Sequence, residues 1–275
     1  MLPRTYINPP DHWVTQPALP YSQAVRCGEL LFITGQVALD KMLQVIAPGN
    51  LPGQISAAMG DLCNVLGAAD MTPSDLVQLR AFYVDEPTAS SETVAKRIAH
   101  AMEPLAGPGP ALTLVPVQAL MSPDVLFEVE AIAMRSHNGQ ALARTAAWDP
   151  GWHGPPVPFS HALRLGEMCF TSGVTAQSHG FIEAPKDLTG QSHIVLRRLD
   201  ALLRQLGADI NDTVKTNLFN VEPGNTQDWA APALARGSYY TEPGPAATGL
   251  SLKTMRPEGV MIINDVIAMR ATNGE

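Results

Sequence analysis

The chain has 275 residues, 45% of them hydrophobic and 16% charged, with a formal net charge of −8. That length suggests about two packed domains, and an acidic balance without a Lys/Arg run leaves no electrostatic footprint for nucleic acid. No run of about 18 apolar residues is present to span a membrane, and the opening MLPRTYINPPDHWV lacks the apolar centre of a signal peptide.

In chain order, the apolar runs Ala24–Arg26 and Leu30–Thr34 flank Gly28-Glu29 and predict a strand pair joined at the glycine, which supplies the positive φ that tight hairpins often need. Leu51 to Leu66 places Ile55, Met59, Leu62, Cys63 and Leu66 at helical spacing, and Leu66-Gly67-Ala68 reads as a helix stop. A strand over Leu76–Val84, a second helix over about Ser90–Met102, and strands over Ala111–Ala119 and Val125–Met134 follow. Residues 137–156 are polar and turn-rich, with His137-Asn138-Gly139 and Gly154-Pro155-Pro156. They divide a first domain, 1–136, from a second, 157–275, as a linker. The second domain repeats the order: strands at Ala162–Arg164 and Met168–Ser172 around Gly166, and a helix over Ser192–Leu206 ending at Leu206-Gly207-Ala208. A strand over Thr213–Val221, a helix over about Gln227–Tyr240, and strands over Ala246–Leu252 and Val260–Met269 complete it.

The order ββαβαββ therefore occurs twice, and so does the wording. Pro20-Tyr21-Ser22-Gln23-Ala24 returns as Pro158-Phe159-Ser160-His161-Ala162, an offset of 138. Val125 to Arg135 (VLFEVEAIAMR) returns as Val260 to Arg270 (VMIINDVIAMR), an offset of 135. A unit of this length buries its own core and marks a duplicated domain rather than a solenoid repeat. Two helices on one face of a mixed sheet leave the other face needing cover, most simply by another copy of the same sheet. Cys27, Cys63 and Cys169 are odd in number and fall at non-equivalent places, so no disulfide framework and a reduced, cytoplasmic setting are expected.

The opening Pro20-Tyr21-Ser22-Gln23-Ala24, the strand Thr34-Gly35-Gln36, the Leu-Gly-Ala helix ends and the closing Glu128-Val129-Glu130-Ala131-Ile132-Ala133 resemble the RidA/YjgF family of small enamine/imine deaminases. The resemblance covers nearly the whole chain as two tandem domains. It implies the chorismate-mutase-like α+β fold, assembly of three domains around a central barrel, and ligand pockets in clefts between adjacent domains. It also implies an Arg directly after Pro-Ala that clamps a substrate carboxylate through a bidentate guanidinium. Here those positions hold Leu112 and Ala247, and a Cys of some members two positions later is replaced by Leu114 and Gly249. The closing-strand Glu, which in the family helps position the hydrolytic water, survives as Glu128 but is Ile263 in the second copy; the opening Tyr survives as Tyr21 but becomes Phe159. Without a cation, burying a carboxylate costs several kcal/mol, so ordinary 2-imino acids are expected to be poor substrates.

Glu128 and Glu130 share one strand face. Glu128 reads as a general base or water-orienting group, and Glu130, like Asp265, as a structural charge. Tyr21 is either a hydrogen-bond donor to ligand or an amphipathic cap. Arg80 is the one candidate replacement anchor, and its alternative is an ion-paired strand residue. His161 is a proton shuttle or an inert buried ring. Thr34 and Ser172, before glycines 35 and 173, are ligand contacts or strand ends, and backbone N–H groups near Gly35 could serve an oxyanion.

No His/Cys cluster has metal-ligand spacing and no GxGxxG or phosphate loop occurs, so cofactor-free chemistry is expected. The leading expectation is a divergent hydrolase acting on a small imine, enamine or related metabolite. The alternatives are a non-catalytic ligand-binding or scaffold protein, or chorismatase-like chemistry. Three two-domain chains are expected to associate, giving a homotrimer with a small-molecule substrate and neither nucleic acid nor membrane as partner.

Overall fold

The computed structural model describes residues 3–15, 17–85, 89–221 and 229–270. In the first half these form β1 (Arg4–Ile7), β2 (Ala24–Cys27), β3 (Leu30–Val37), α1 (Leu51–Ala68), β4 (Leu76–Val84), α2 (Ser91–Ala101), β5 (Ala111–Val117) and β6 (Phe127–Met134). The second half forms β7 (Thr145–Ala147), β8 (Ala162–Leu165), β9 (Met168–Thr171), the small hairpin β10 (Gln177–Ser178) and β11 (Phe181–Ile182), α3 (Leu188–Gln205), β12 (Thr213–Val221), α4 (Ala230–Gly237), β13 (Ala246–Leu252) and β14 (Ile262–Met269). The expected start of the last helix, at Gln227, lies outside the described residues. The strand orders are β1-β2-β3-β6-β4-β5 and β13-β12-β14-β9-β8-β7. The β12–β13 pair is parallel and its neighbour β12–β14 antiparallel, so the sheet is mixed as expected.

Contacts divide the chain into two compact units, residues 1–110 with 117–142, and 111–116 with 143–275. In the first, α1 buries Ile55, Met59, Leu62 and Leu66. In the second, α3 supplies Val195, Leu199, Leu202 and Leu203 to a core that includes Ile262, Val266 and Ala268 of β14. Both helices carry a fully buried glutamine that ties them to the closing strand by backbone bonds. Gln54 takes the Leu126 N–H at 2.8 Å and donates to the Asp124 carbonyl at 2.7 Å; Gln191 takes the Met261 N–H at 2.8 Å and donates to the Gly259 carbonyl at 2.6 Å. A buried amide of this kind stays only where its donors and acceptors are all met.

The hairpin glycines behave as read from sequence: Gly28 has φ +62 and Gly166 φ +55. Of the two helix ends, only the second does. α3 stops at Gln205, Gly207 takes φ +76, and the Ala208 N–H reaches the Leu203 carbonyl at 3.0 Å. In α1 the left-handed position is Asp70, φ +55, with the Met71 N–H on the Leu66 carbonyl at 2.9 Å, while Gly67 stays helical. The same αL stop closes both helices, but the two Leu-Gly-Ala triplets sit in different turns and are not equivalent. Two further departures are the strands β1 and β7, which pair with β2 and β8: no element is expected at Arg4–Ile7, and Thr145–Ala147 lies in the expected linker.

Candidate functional site

β3 and β6 run antiparallel with Ile33 opposite Ala131, and resume with Gln36 opposite Val129. The register slips by one residue across Thr34-Gly35, a β-bulge that re-aims the chain beside the closing strand. Gly35 is thus inside a strand rather than at a turn. It is required for space and not for a left-handed backbone: a Cβ there would lie 2.0 Å from Glu128 Oε1. The Glu128 carboxyl rests directly on the glycine.

Along β6, Phe127, Val129 and Ala131 are buried while Glu128 and Glu130 alternate with them at half-exposed positions. Burial pushes the Glu128 carboxyl above the usual carboxylate range, and the neighbouring Glu130 adds to the rise. Across the sheet Phe82 stands opposite Glu128, and Arg80 opposite Glu130. Arg80 Nη1 is bound to Glu130 Oε1. The structure therefore brings Glu128 and Gly35 together, with Thr34 preceding the glycine in the bulge and Arg80 one step along, held by Glu130.

The other expected residues are placed apart. Tyr21 is 76% exposed and makes no hydrogen bond among the described residues. Ser172 belongs to the second unit and is wholly buried: its hydroxyl donates to the Ser160 carbonyl at 2.7 Å and accepts the Leu112 N–H at 2.8 Å. His161 is also buried. Burial lowers its pKa to about 4, its Nδ1 accepts the Asp149 N–H at 3.0 Å, and it lies between Trp148 and Trp152. A ring that stays neutral down to that pH is no proton shuttle near neutrality.

The second unit repeats the Glu128 frame without its chemistry. Gly173 lies beneath Ile263, where a Cβ would come within 2.7 Å of Ile263 Cγ2 and of Thr113 Cγ2. Asn217 replaces Arg80 and donates to Asp265 Oδ1 at 2.8 Å, and Thr113 Oγ1 donates to Asp265 Oδ2 at 2.9 Å.

One polar cluster escaped the reading of the sequence. In the first unit His12 is buried with neither ring nitrogen hydrogen-bonded, its Nδ1 3.8 Å from Asp61 Oδ1. Burial raises Asp61 to about 6 and lowers His12, the latter opposed by Gln36 and Gln23. The equivalent of Asp61 in α3 is Arg198, which is satisfied by Glu183, Asp149, Ser178 Oγ and the carbonyls of Thr175 and Gln177. The legible signal was an acid in α1 between the core residues Met59 and Leu62, matched by a base at the same repeat position.

Cavities of about 280 Å³, lined by residues that include Asn50, Thr93 and Arg97, and about 270 Å³, lined by residues that include Trp148, Asp149 and Arg197, lie in the first and second units; neither includes Glu128. Among the described residues no group of three or more His, Cys, Asp or Glu could hold a metal, and no helix is long and apolar enough to cross a membrane.

Two similar mixed sheets with helices, each with a glycine set beneath the closing strand, define a protein of two tandem α+β domains. The chain belongs to the RidA/YjgF family: the family model described as Endoribonuclease L-PSP matches residues 14–135 and again 153–268. Among its relatives, a RutC family protein of Pyrococcus horikoshii is 31% identical over 122 residues, 44% of this chain and 90% of that protein. One of Pyrococcus abyssi is 29% identical over 120 residues, 44% and 90%. Among solved structures, Escherichia coli TdcF with bound serine matches 48% of this chain and 99% of its own at 24% identity, TM-score 0.40. A Mycobacterium tuberculosis member of the YjgF/YER057c/UK114 family matches 48% and 99% at 26% identity, TM-score 0.39. Each relative has about the length of one copy.

Proposed function

We propose that the first unit hydrolyses a small neutral imine, or an enamine after its tautomerisation, at Glu128. The observation that carries this reading is the half-buried carboxyl seated on Gly35, with its pKa raised by burial and by Glu130. A carboxyl displaced upward in this way exchanges protons with a substrate more readily than one at its ordinary value. Ionised Glu128 accepts a proton from water as the water oxygen bonds to the C=N carbon and passes it to the nitrogen, and the same carboxyl then carries the proton of the new hydroxyl to the amine. Collapse of the carbinolamine then expels ammonia and leaves the carbonyl. The bulge at Thr34-Gly35 lays the Gly35 backbone against this carboxyl.

The substrate class follows from the cations. Leu112 and Ala247 stand where the family pattern has its clamp, and Arg80 is bound to Glu130. A substrate carboxylate would meet Glu128 and Glu130 with no guanidinium of its own, at a desolvation cost of several kcal/mol. Imines derived from amines rather than amino acids fit better. The test is ammonia release from imines generated in situ from a neutral amine and from an amino acid. The neutral imine should be preferred, and Glu128→Gln should lower turnover by about 100-fold or more, the scale of general acid–base catalysis. Full activity in Glu128→Gln and Arg80→Ala alike would overturn the assignment.

A further inference from the structure

A buried polar atom normally has a hydrogen-bond partner, and one cluster in the first unit departs from that rule. His12 Nδ1 and Nε2, Trp13 Nε1, Gln36 Oε1 and Asp61 Oδ2 are all buried, and none has a hydrogen-bond partner among the described residues. His12 Nδ1 lies 3.8 Å from Asp61 Oδ1. Gln23 and Gln36 face the His12 ring without meeting hydrogen-bond geometry. Gln36 Nε2 donates to Gln23 Oε1 and to the Thr34 carbonyl, both at 3.1 Å, and Gln23 Nε2 donates to the Trp13 carbonyl at 3.1 Å. Those bonds fix the Gln36 amide by its nitrogen and leave its oxygen over. The His12 side chain is 1% exposed and Gln36 0%, while the Asp61 side chain is 21% exposed, so the cluster is reached past that carboxylate.

The second unit shows the same place with its polar groups met. Arg198 stands at the repeat position of Asp61, Trp152 at that of Trp13, and Thr175 at that of Val37. The Arg198 guanidinium donates to the Thr175 carbonyl at 2.7 Å, the Gln177 carbonyl at 3.0 Å and Ser178 Oγ at 2.8 Å, and is paired with Glu183 and Asp149. Trp152 Nε1 donates to Thr175 Oγ1 at 3.2 Å. There a cation rich in N–H donors is ringed by oxygen acceptors. The first unit keeps acceptors, namely a carboxylate, an amide oxygen and an imidazole, but its cluster contains no Lys or Arg. Lys41 is paired instead with Asp11 at the surface, at 2.6 Å. Asp61, raised by burial to about 6, is still mostly ionised at neutral pH.

We infer that this cluster of the first unit binds ammonium, with Asp61, Gln36 and His12 as its acceptors. The charge argues for a cation: a carboxylate held this deep calls for a counter-charge, which the copy supplies as a guanidinium and which water cannot supply. The acceptors argue for ammonium among cations. A neutral imidazole offers one ring nitrogen as acceptor, so the ion meets two oxygens and a nitrogen, each directional, and an ion with four N–H donors can satisfy all three. Hard metal ions take oxygen shells of six or more ligands. A transition metal suits imidazole, but among the described residues no group of three or more His, Cys, Asp or Glu could hold one. The donors left over, Trp13 Nε1–H and the His12 N–H, suit a water that enters with the ion. The inference does not rest on the reading of Glu128, and a chain that binds ammonium without imine turnover would leave it standing.

Amide hydrogen exchange of the full chain at neutral pH and fixed chloride concentration tests this. Ammonium chloride should slow exchange in α1 relative to sodium chloride, by about tenfold once ammonium stands roughly nine times above its Kd. α3, whose equivalent place holds Arg198, should not respond. Potassium chloride, and tetramethylammonium chloride with the same charge but no N–H, should behave as sodium chloride does. With 15N-labelled ammonium, the protons of the bound ion should show nuclear Overhauser contacts to the His12 ring. Asp61→Asn removes the charge at nearly constant shape and should abolish the ammonium-specific slowing. Gln36→Leu removes the amide oxygen, should weaken the effect, and decides the matter if the first variant is altered in fold. Equal slowing by potassium or tetramethylammonium, equal slowing in α1 and α3, no difference between ammonium and sodium, or an ammonium effect that survives both variants would each overturn the inference.

Discussion

Glu128 above Gly35 and Ile263 above Gly173 are the same joint built twice. In both, a one-residue slip between the second hairpin strand and the closing strand presses a closing-strand side chain onto a glycine. The glycine persists where the carboxylate does not, so the frame is set by sterics and the chemistry by whichever side chain occupies the upper position. The ionic pair one step along follows the same logic: Arg80 with Glu130 in the first unit, Asn217 with Asp265 in the second, at the same register. A cross-strand bond is preserved while the charge is surrendered. The internal copy thereby separates what the fold requires from what a reaction would require.

The comparison breaks most sharply at Arg198. It is the hub of the second unit's polar cluster, with two acids and three further oxygens around a side chain only 11% exposed. Arg198→Ala strands Glu183 and Asp149, and a loss of about 3 kcal/mol is expected, as for breaking a partly buried ion pair. The equivalent Asp61→Ala removes a group whose Oδ2 is buried without a hydrogen bond, and should cost far less. Denaturant melts read by hydrogen exchange would assign each change to its unit. Equal losses would show that the two clusters are not the contrast drawn above.

The glycines come next. Gly173→Ala forces a methyl against Ile263 and Thr113 carbons, both branched and held in the second unit, with an expected cost of about 1–3 kcal/mol. Gly35→Ala meets the far end of a glutamate, which can swing away. Its stability should change by under about 1 kcal/mol, while the carboxyl leaves its seat and turnover falls. A stability loss at Gly35 matching that at Gly173 would refute the distinction. Ser172→Ala should cost about 1–2 kcal/mol by leaving the Leu112 N–H and the Ser160 carbonyl unpaired in the interior. Thr34→Ala in an isolated chain should cost nothing measurable, since Thr34 is exposed.

Strand periodicity made most of this fold legible. Leu76–Val84 and Thr213–Val221 are found at the predicted residues, and Gly28 and Gly166 turn their hairpins. What escaped is what periodicity cannot carry. β1 (RTYI) and β7 (TAA) are short edge strands recruited by pairing with β2 and β8. That Gly35 sits in a bulge, with Glu128 over it, depends on the register of the partner strand, which the local sequence does not carry. The Leu-Gly-Ala triplets matched as letters, yet the αL residue that ends each helix is Asp70 in one and Gly207 in the other. For the candidate site, Glu128 and Gly35 were singled out through the family resemblance, but the contact between them was not. The pairing of Arg80 with Glu130 and the sealing of Ser172 depend on register between distant strands.

The smallest effect is a pH dependence confined to the first unit. Asp61 has its pKa raised by burial to about 6 from an ordinary 3.8, so the folded state holds its proton more tightly than the unfolded chain. That contribution to stability is full below the unfolded value and disappears as pH rises through about 6. His12, the titratable group facing it, is shifted the other way by burial and opposes part of the change as pH falls through its unfolded value; Gln23 and Gln36 on the same side carry no charge. A rise of this size in a fully buried group would be worth ~3 kcal/mol. The Asp61 side chain is 21% exposed, and solvent screening reduces the expectation to about 1 kcal/mol. Asp61→Asn should therefore raise the stability of the first unit by about 1 kcal/mol at pH 8 and leave it unchanged near pH 4. The second unit, where Arg198 occupies the same place, should show no such pH-dependent gain. An Asn variant that is equally stabilised at both pH values would mean that Asp61 acts through its shape or its hydrogen bonds rather than through its charge.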